Sequence, residues 1–417
     1  MQRNAENGLF TKLLYKTMKL IENKNILLGV CGGIAAYKSV ELLRLLKRHG
    51  VNVKVFMTGN AKAFVGRLTF EALSGQPVCS SLFEKNGSRS EHIGHIDWAE
   101  KADALVIAPA TANIIGKIAN GIADDALSTL VLAVTCPVII CPSMNTNMYQ
   151  NRALQRNLER LREDGLFVIE PESGELACGT SGPGRLPEPE YILDRLLFCL
   201  SPKDLKGKNV LVTAGPTQEY IDPVRFLSNP SSGKMGYSIA KAAEKRGGRV
   251  VLVTGPTNLS DPLNVTVIKV RSAEDMALAV FEHMEHADII IKAAAVSDYR
   301  PVDSSQQKIK KEKDEIVLSL QRNQDILEEL GRRKENQLLV GFAAETENLE
   351  KNSVDKLVRK NLDIIVGNLV GPPSSGFGSD TNKVTFFYKD GTTESLPEME
   401  KDEVANILLD RIVTMLS

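Results

Sequence analysis

Short runs of β-branched and aliphatic residues alternate with helix-like stretches along the whole chain, and this alternation restricts the fold more than anything else in the sequence. Residues 26–30 read as a strand, 35–48 as an amphipathic helix stopped by Gly50, and 51–58 as a second strand. Further strands are expected at 104–108, 138–141 and 166–170, with a helix at 191–200. The polar segment 201–208 breaks the pattern. Beyond it, strands at 209–213, 249–254, 288–293, 338–342, 363–367 and 384–388 repeat the alternation. Strands joined by helices lie parallel, so the reading is α/β with two parallel-sheet domains, 1–200 (residues 1–17 being an N-terminal extension) and 201–417. In such sheets ligands bind beyond the carboxyl ends of the strands, which is where chemistry is to be sought.

The 417 residues are 43% hydrophobic and 25% charged, a globular balance. Lys and Arg (51) nearly cancel Asp and Glu (52). No global basic field is present, which argues against a nucleic-acid partner and requires any bound anion to be held locally. Six cysteines without a Cys-x-x-Cys pair fit a reducing cytoplasm. The longest apolar run, 129–140, falls short of the ~20 residues that span a bilayer, so no membrane partner is expected. Residues 1–17 lack the apolar core of a signal peptide.

The first strand runs into Gly29-Val30-Cys31-Gly32-Gly33-Ile34-Ala35-Ala36-Tyr37-Lys38, a glycine turn whose free N–H groups and helix dipole suit a phosphate. The spacing is not Gly-x-Gly-x-x-Gly. The second strand ends in Met57-Thr58-Gly59 instead of an acidic residue, which disfavours a dinucleotide and an NAD-dependent oxidoreductase. In the second half, Ser231-Ser232-Gly233-Lys234-Met235-Gly236 resembles a Walker loop superficially, but the upstream glycine is missing and Met235 stands where Ser or Thr would hold magnesium. Its backbone donors and helix start remain suited to a triphosphate, and equally to a plain helix cap.

Among the five histidines, His49 reads as a helix-end cation, and His283 and His286 as a solvated face without zinc-enzyme spacing. His92 and His95 precede the 104–108 strand, and His95 is the better placed for acid/base work. Cys178 sits in a long Gly-rich loop after the 166–170 strand, where a mostly protonated thiol can give a proton to a carbanion-like centre and the loop can close as a lid, although a free loop cysteine taken by itself is more often inert than catalytic. Lys308, Lys310, Lys311 and Lys313 form a basic run beyond a parallel strand, suited either to gripping phosphate or to simple solvation.

Together these stretches, with Ala108-Pro109-Ala110-Thr111-Ala112-Asn113, Pro142-Ser143-Met144-Asn145-Thr146-Asn147-Met148, Asp222-Pro223-Val224-Arg225, Ser228-Asn229 and Gly341-Phe342-Ala343-Ala344-Glu345-Thr346, closely resemble the bifunctional phosphopantothenoylcysteine decarboxylase/phosphopantothenate-cysteine ligase family of bacterial coenzyme A synthesis. The resemblance extends from about Lys19 to the C-terminus and implies two Rossmann-like or flavodoxin-like domains. Departures are Cys31 for a frequent Thr, Gln307 for a frequent Glu and Gln324 for a frequent Pro.

For the first half, the resemblance implies FMN bound by Gly32, Gly33, Ile34, Thr58, Ala110, Thr111, Asn113 and Ser128. The flavin would oxidise the substrate thiol, creating the electron sink that loss of CO2 requires. His95 would act as acid/base, Asn145 would hold the carboxylate and Cys178 would protonate the intermediate. For the second half it implies CTP-dependent activation of 4'-phosphopantothenate as an acyl-cytidylate, with magnesium accompanying the triphosphate and cysteine then displacing CMP. Lys308 would offset phosphoryl charge, Asn229 and Arg225 would act on the intermediate, and Ser231, Ser232 and Gly233 would cradle the triphosphate. Ala295, Asp298 and Phe342 would surround the cytidine, and Lys356 and Lys360 the phosphates. A homo-oligomer is implied, with trimers of the flavin domain and dimers of the ligase domain. A rival reading is a non-enzymatic flavin-binding regulatory module, which the ligase-like half argues against.

Overall fold

The computed structural model describes residues 21–81, 94–176, 179, 181–310, 317–369 and 379–416. They divide into two compact units between Ser201 and Pro202.

In the first unit the order is β1 (Asn25–Val30), α1 (Ala36–Arg48), β2 (Asn52–Met57), α2 (Arg67–Ser74), α3 (Gly94–Lys101), β3 (Ala104–Ala110), α4 (Ala112–Ala119), α5 (Ala126–Ala133) and β4 (Val138–Pro142). Then follow α6 (Thr146–Tyr149), α7 (Arg152–Glu163), β5 (Phe167–Val168), β6 (Glu172–Glu175), β7 (Ser181–Arg185) and α8 (Pro189–Leu200). Strands β2-β1-β3-β4-β5 form one sheet whose pairs are all parallel. Its order is that of the flavodoxin-like fold, whose ligand crevice opens between β1 and β3. Both faces are covered: Ile26, Leu28 and Val30 enter one core cluster and Leu27 the other, so a continuous apolar strand feeds two layers at once. Gly50 ends α1 at φ 72°, where a β-carbon would be strained.

The second unit contains β8 (Asn209–Ala214), β9 (Gln218–Tyr220), β10 (Phe226–Ser228), α9 (Lys234–Lys245), β11 (Arg249–Thr254), β12 (Thr266–Lys269), α10 (Ala273–Met284), β13 (Ile289–Lys292), β14 (Tyr299–Pro301) and β15 (Leu320–Arg322). It continues through α11 (Ile326–Arg333), β16 (Leu338–Glu345), α12 (Leu349–Arg359), β17 (Ile364–Leu369), β18 (Thr381–Asn382), β19 (Val384–Tyr388), β20 (Thr393–Ser395), β21 (Met399–Glu400) and α13 (Lys401–Leu416). The main sheet runs β12-β11-β8-β13-β16-β17-β19-β20 and is parallel as far as β17. Its parallel part has the doubly wound order that reverses between β8 and β13. Here too β8 feeds both layers, with Val210 and Val212 on one face and Leu211 on the other. Arg246, nearly fully buried, ties the start of the unit to its last helix by donating to Asp204 and to Asp410 at 2.7 Å.

Two expectations differ from the structure. Strand 384–388 is antiparallel to β17, as is β20 to β19. No helix among the described residues links β17 to β19, and a parallel return needs such a crossover. The Gly-rich segment around Cys178 is largely an antiparallel ribbon, β6 against β7; Cys178 itself lies outside the described residues.

Candidate functional site

Each parallel sheet opens at its reversal point into a cavity. In the first unit a cavity of about 780 Å³ is lined by the turn after β1 (Gly32, Gly33, Ile34), by Thr111 after β3, by Ser143 to Asn145 after β4, and by Glu175, Leu176 and Gly184 of the ribbon. The two glycines of the turn differ in kind. A β-carbon on Gly32 would lie 2.5 Å from Cβ of Asn60, so Gly32 permits close packing. Gly33 has nothing within 4 Å of that position, an open cradle of the sort a phosphate occupies. Thr111 caps α4 by accepting from the Ile114 N–H at 3.5 Å. Asn145 caps α6: its Oδ1 accepts from the Asn147 N–H at 2.8 Å, which fixes the direction of the amide.

The other expected flavin contacts are less direct. Ala110 is buried at the end of β3, and Thr58, Asn113 and Ser128 do not line the cavity. Ser128 is buried within the capping box of α5, with its N–H on Asp125 Oδ1 at 2.8 Å. Cys31 is fully packed, and burial pushes its thiol up to about 12, which leaves it an inert packing group. His95 falls in α3, but its side chain lies outside the described residues, as do His92, Lys311 and Lys313. The first turn of α1 carries a structural anchor. Lys38, 7% exposed, donates to the Leu186 carbonyl at 2.9 Å and to Glu188 at 2.8 Å, fastening α1 to the end of the ribbon.

In the second unit a cavity of about 420 Å³ is lined by Asn229, by Ser231, Ser232 and Gly233 at the start of α9, by Ala295 after β13, and by Phe342 in β16. Asn229 Nδ2 donates to the carbonyls of Ala295 (3.2 Å) and Val296 (3.1 Å), so one side chain stitches the loop after β10 to the loop after β13. Gly233 adopts φ 77° and comes within 2.7 Å of Thr257 Cγ2 at its β-carbon position, a place only glycine fills. Lys292 and Asn368 also line this cavity, and the Asn368 amide oxygen is buried without a hydrogen-bond partner among the described residues. An orphaned acceptor at a cavity wall is what a ligand donor would complete. Neither residue stood out by motif, although a lysine closing the run Ile289-Ile290-Ile291 is a visible interruption.

Other expected residues stand apart from this cavity. Lys356 pairs with Glu345 and Lys360 with Asp325 at 2.6 Å, and Asp298 is exposed. Arg225 is held by Asp222, its Nε at 3.0 Å from Oδ2, and also donates to the Ile309 carbonyl at 3.0 Å. Asp222 in turn accepts from the backbone N–H groups of Val224, Arg225 and Ile309. This knot anchors the segment carrying the exposed Lys308. Among the described residues no group of three or more His, Cys, Asp or Glu is placed to hold a metal ion, and no helix is long and apolar enough to cross a membrane.

Residues 15–200 match the flavoprotein family model, and residues 205–416 match the DNA/pantothenate metabolism flavoprotein C-terminal domain. The chain is 48% identical over 401 residues to the coenzyme A biosynthesis bifunctional protein CoaBC of Bacillus subtilis, covering 95% of this chain and 98% of that one. The Escherichia coli K12 protein of the same name is 44% identical, with 94% and 98% covered. A crystal structure of the C-terminal domain of such a protein is 47% identical, covers 51% of this chain and 98% of its own, and superposes with a TM-score of 0.45. With relatives this similar over nearly their full length, the chain belongs to the family of bifunctional proteins of coenzyme A biosynthesis.

Proposed function

We propose that the second unit joins 4'-phosphopantothenate to L-cysteine at the expense of CTP, and that the first unit, holding FMN, decarboxylates the product to 4'-phosphopantetheine. The observation that carries this reading is the pair of strand-end cavities, each lined by a glycine turn at a helix start and by a capping or bridging Asn. The open position beside Gly33, at the reversal point of a flavodoxin-like sheet, fits a flavin phosphate.

FMN, when bound, would supply a two-electron sink that the substrate acid itself lacks. The chain's residues do the rest. Asn145, with Oδ1 already engaged, presents its amide donor edge to the substrate carboxylate. His95 exchanges a proton as CO2 leaves, and Cys178, which falls between β6 and β7 in the sequence, delivers one to carbon from its thiol. Gly32, Ile34, Ala110 and Thr111 shape the walls, while Thr58, Asn113 and Ser128 act from behind them.

In the ligase unit the phosphopantothenate carboxylate attacks the α-phosphorus of CTP and pyrophosphate leaves. The cysteine amine then attacks the acyl carbon and CMP leaves. Ser231, Ser232 and Gly233 offer backbone donors to the triphosphate. Lys308 offsets charge at the phosphoryl centre. Asn229 and Arg225 steady the intermediate, and Ala295, Asp298 and Phe342 flank the nucleoside. Lys356 and Lys360 reach phosphate by exchanging Glu345 and Asp325 for it. Magnesium would accompany the triphosphate and offset part of its charge. The setting is cytoplasmic, with small-molecule partners and a homo-oligomer of trimeric flavin and dimeric ligase units.

The test is an absorbance spectrum of the purified chain followed by assay with phosphopantothenate, cysteine and CTP. A flavin band, pyrophosphate release and CO2 are expected. A folded, colourless chain that cannot be reconstituted with FMN would overturn the decarboxylase half, and absence of CTP-dependent pyrophosphate release would overturn the ligase half.

A further inference from the structure

The second cavity contains a cation that none of the roles above uses. Lys292 ends β13 directly after three fully buried isoleucines and lines the cavity together with Ser231, Ser232 and Asn229. Its Nζ makes one hydrogen bond, to the Ala294 carbonyl at 3.2 Å, and forms no ion pair among the described residues. The residue is half-buried at the cavity wall. An ammonium carries three donors, so a single carbonyl acceptor leaves donors to spare for a ligand that enters the cavity.

The neighbouring lysines are differently placed. Lys356 and Lys360 are paired with Glu345 and Asp325 and do not line the cavity. Lys234, which does line it, pairs with Asp380, and Lys401 donates to the Ser379 carbonyl. On the flanking strands, the register partners of Lys292 are the uncharged Thr213 and Gly341. Asp325 at the start of α11 and Asp298 after β13 attract the ammonium from farther away, while Lys360 and Lys356 oppose it. Burial dominates and lowers Lys292 to about 8.

We propose that Lys292 is a ligand-binding residue whose ammonium donates to a phosphate oxygen of the nucleoside triphosphate in the second cavity. This rests on reading that cavity as the CTP site. Phosphate is favoured over base or ribose because the start of α9 faces the same cavity with its backbone donors, so the positive groups converge on one region.

The experiment is calorimetric titration of the full chain and of its Lys292→Met and Lys292→Arg variants with CTP, with cytidine and with 4'-phosphopantothenate, at pH 7 and pH 9. Lys292→Met removes a half-buried charge without a carboxylate partner among the described residues while keeping the volume, so folding is expected to be unharmed and the unfolding midpoint equal or higher. Loss of one charge-assisted bond should weaken CTP about tenfold or more and leave cytidine and phosphopantothenate unchanged, with Lys292→Arg restoring part of the loss. In the parent chain CTP affinity should fall between pH 7 and pH 9 as the lysine loses its proton, and this step should vanish in Lys292→Met. Equal CTP affinity in Lys292→Met, an equal loss for cytidine, a loss confined to phosphopantothenate, or a pH step that persists in Lys292→Met would each overturn the assignment while the CTP reading stands. Failure of the parent chain to bind CTP would overturn that reading and the assignment with it.

Discussion

Gly184 presses against Met144 so closely that a β-carbon on Gly184 would lie 2.1 Å from the Met144 carbonyl oxygen, and the Met144 N–H donates to the Gly184 carbonyl at 3.0 Å. Gly182, two residues earlier, has the same relation to Thr146, with its β-carbon position 2.8 Å from Cγ2. The ribbon β6–β7 is thereby keyed to the turn that presents Asn145. The position of Asn145, proposed to hold the substrate carboxylate, is therefore set against the ribbon by two glycines that leave no room for a β-carbon.

Gly184→Ala tests this keying. At φ 149° an L-residue is strained by about 1–3 kcal/mol before the overlap with Met144 is counted. For a domain of this size each kcal/mol lowers the unfolding midpoint by about 2–4 °C. CO2 release should fall about a hundredfold, the scale of an ångström-sized misplacement, while flavin content stays near that of the parent chain. Undiminished turnover would show that the ribbon's seat does not matter.

The two glycines of the first turn should separate cleanly. Gly32→Ala drives a β-carbon into Asn60 and should lower stability by about 1–3 kcal/mol, the usual scale for overpacking. Gly33→Ala meets no protein atom and should leave the unfolding midpoint within about 1 °C. It should nevertheless retain less flavin, because the new methyl occupies the open cradle. Measuring the flavin-to-protein absorbance ratio beside a thermal melt for both variants checks this, and full flavin retention by Gly33→Ala would remove that glycine from the site.

His95→Asn and Cys178→Ser divide the proposed decarboxylation in two. His95→Asn should abolish CO2 release with flavin still bound. Cys178→Ser should release CO2 but accumulate the oxidised enethiol, since a hydroxyl is a far weaker acid than a thiol of reference pKa ~8.5. Mass spectrometry of the products distinguishes the outcomes: only the normal reduced product from Cys178→Ser would exclude the thiol as proton donor.

The sequence carried the sheets well and the site unevenly, for physical reasons. Strand-forming runs such as residues 26–30 and 209–213 are buried on both faces, so their composition betrays them. Turns such as Gly32-Gly33 and Ser231-Ser232-Gly233 carry their own backbone constraints. Strand 384–388 was legible as a strand but not as an antiparallel one, because direction is set by the connection and not by the residues that pair. The partners of Lys356, Lys360 and Arg225 were equally hidden. Glu345 lies 11 residues from Lys356 but Asp325 lies 35 from Lys360, and the Ile309 carbonyl 84 from Arg225, distances at which sequence spacing says nothing about contact. Lys292 belongs to no motif: the sequence shows only that a lysine closes an isoleucine run, and its lack of a carboxylate partner among the described residues is visible only in the structure.

Asp222 offers the sharpest pH test. Its carboxylate, 1% exposed, accepts from the Arg225 guanidinium and from three backbone N–H groups, which hold it well below the usual carboxylate range, the Arg225 side chain contributing most. A carboxyl depressed in the folded state stabilises the fold fully above its unfolded pKa of about 4, and that contribution is lost as pH falls toward the folded value. The midpoint of the parent chain should therefore drop steeply below pH 4, and that of Asp222→Asn should start lower and drop less. Because the same carboxylate secures Ile309, the neutral amide should also loosen the segment bearing Lys308 and slow pyrophosphate release at pH 7 about tenfold, as expected when a phosphoryl-stabilising cation is misplaced. A loss of stability without any change in pyrophosphate release would confine Asp222 to the fold, and parallel acid limbs for the two chains would deny that its ionisation matters at all.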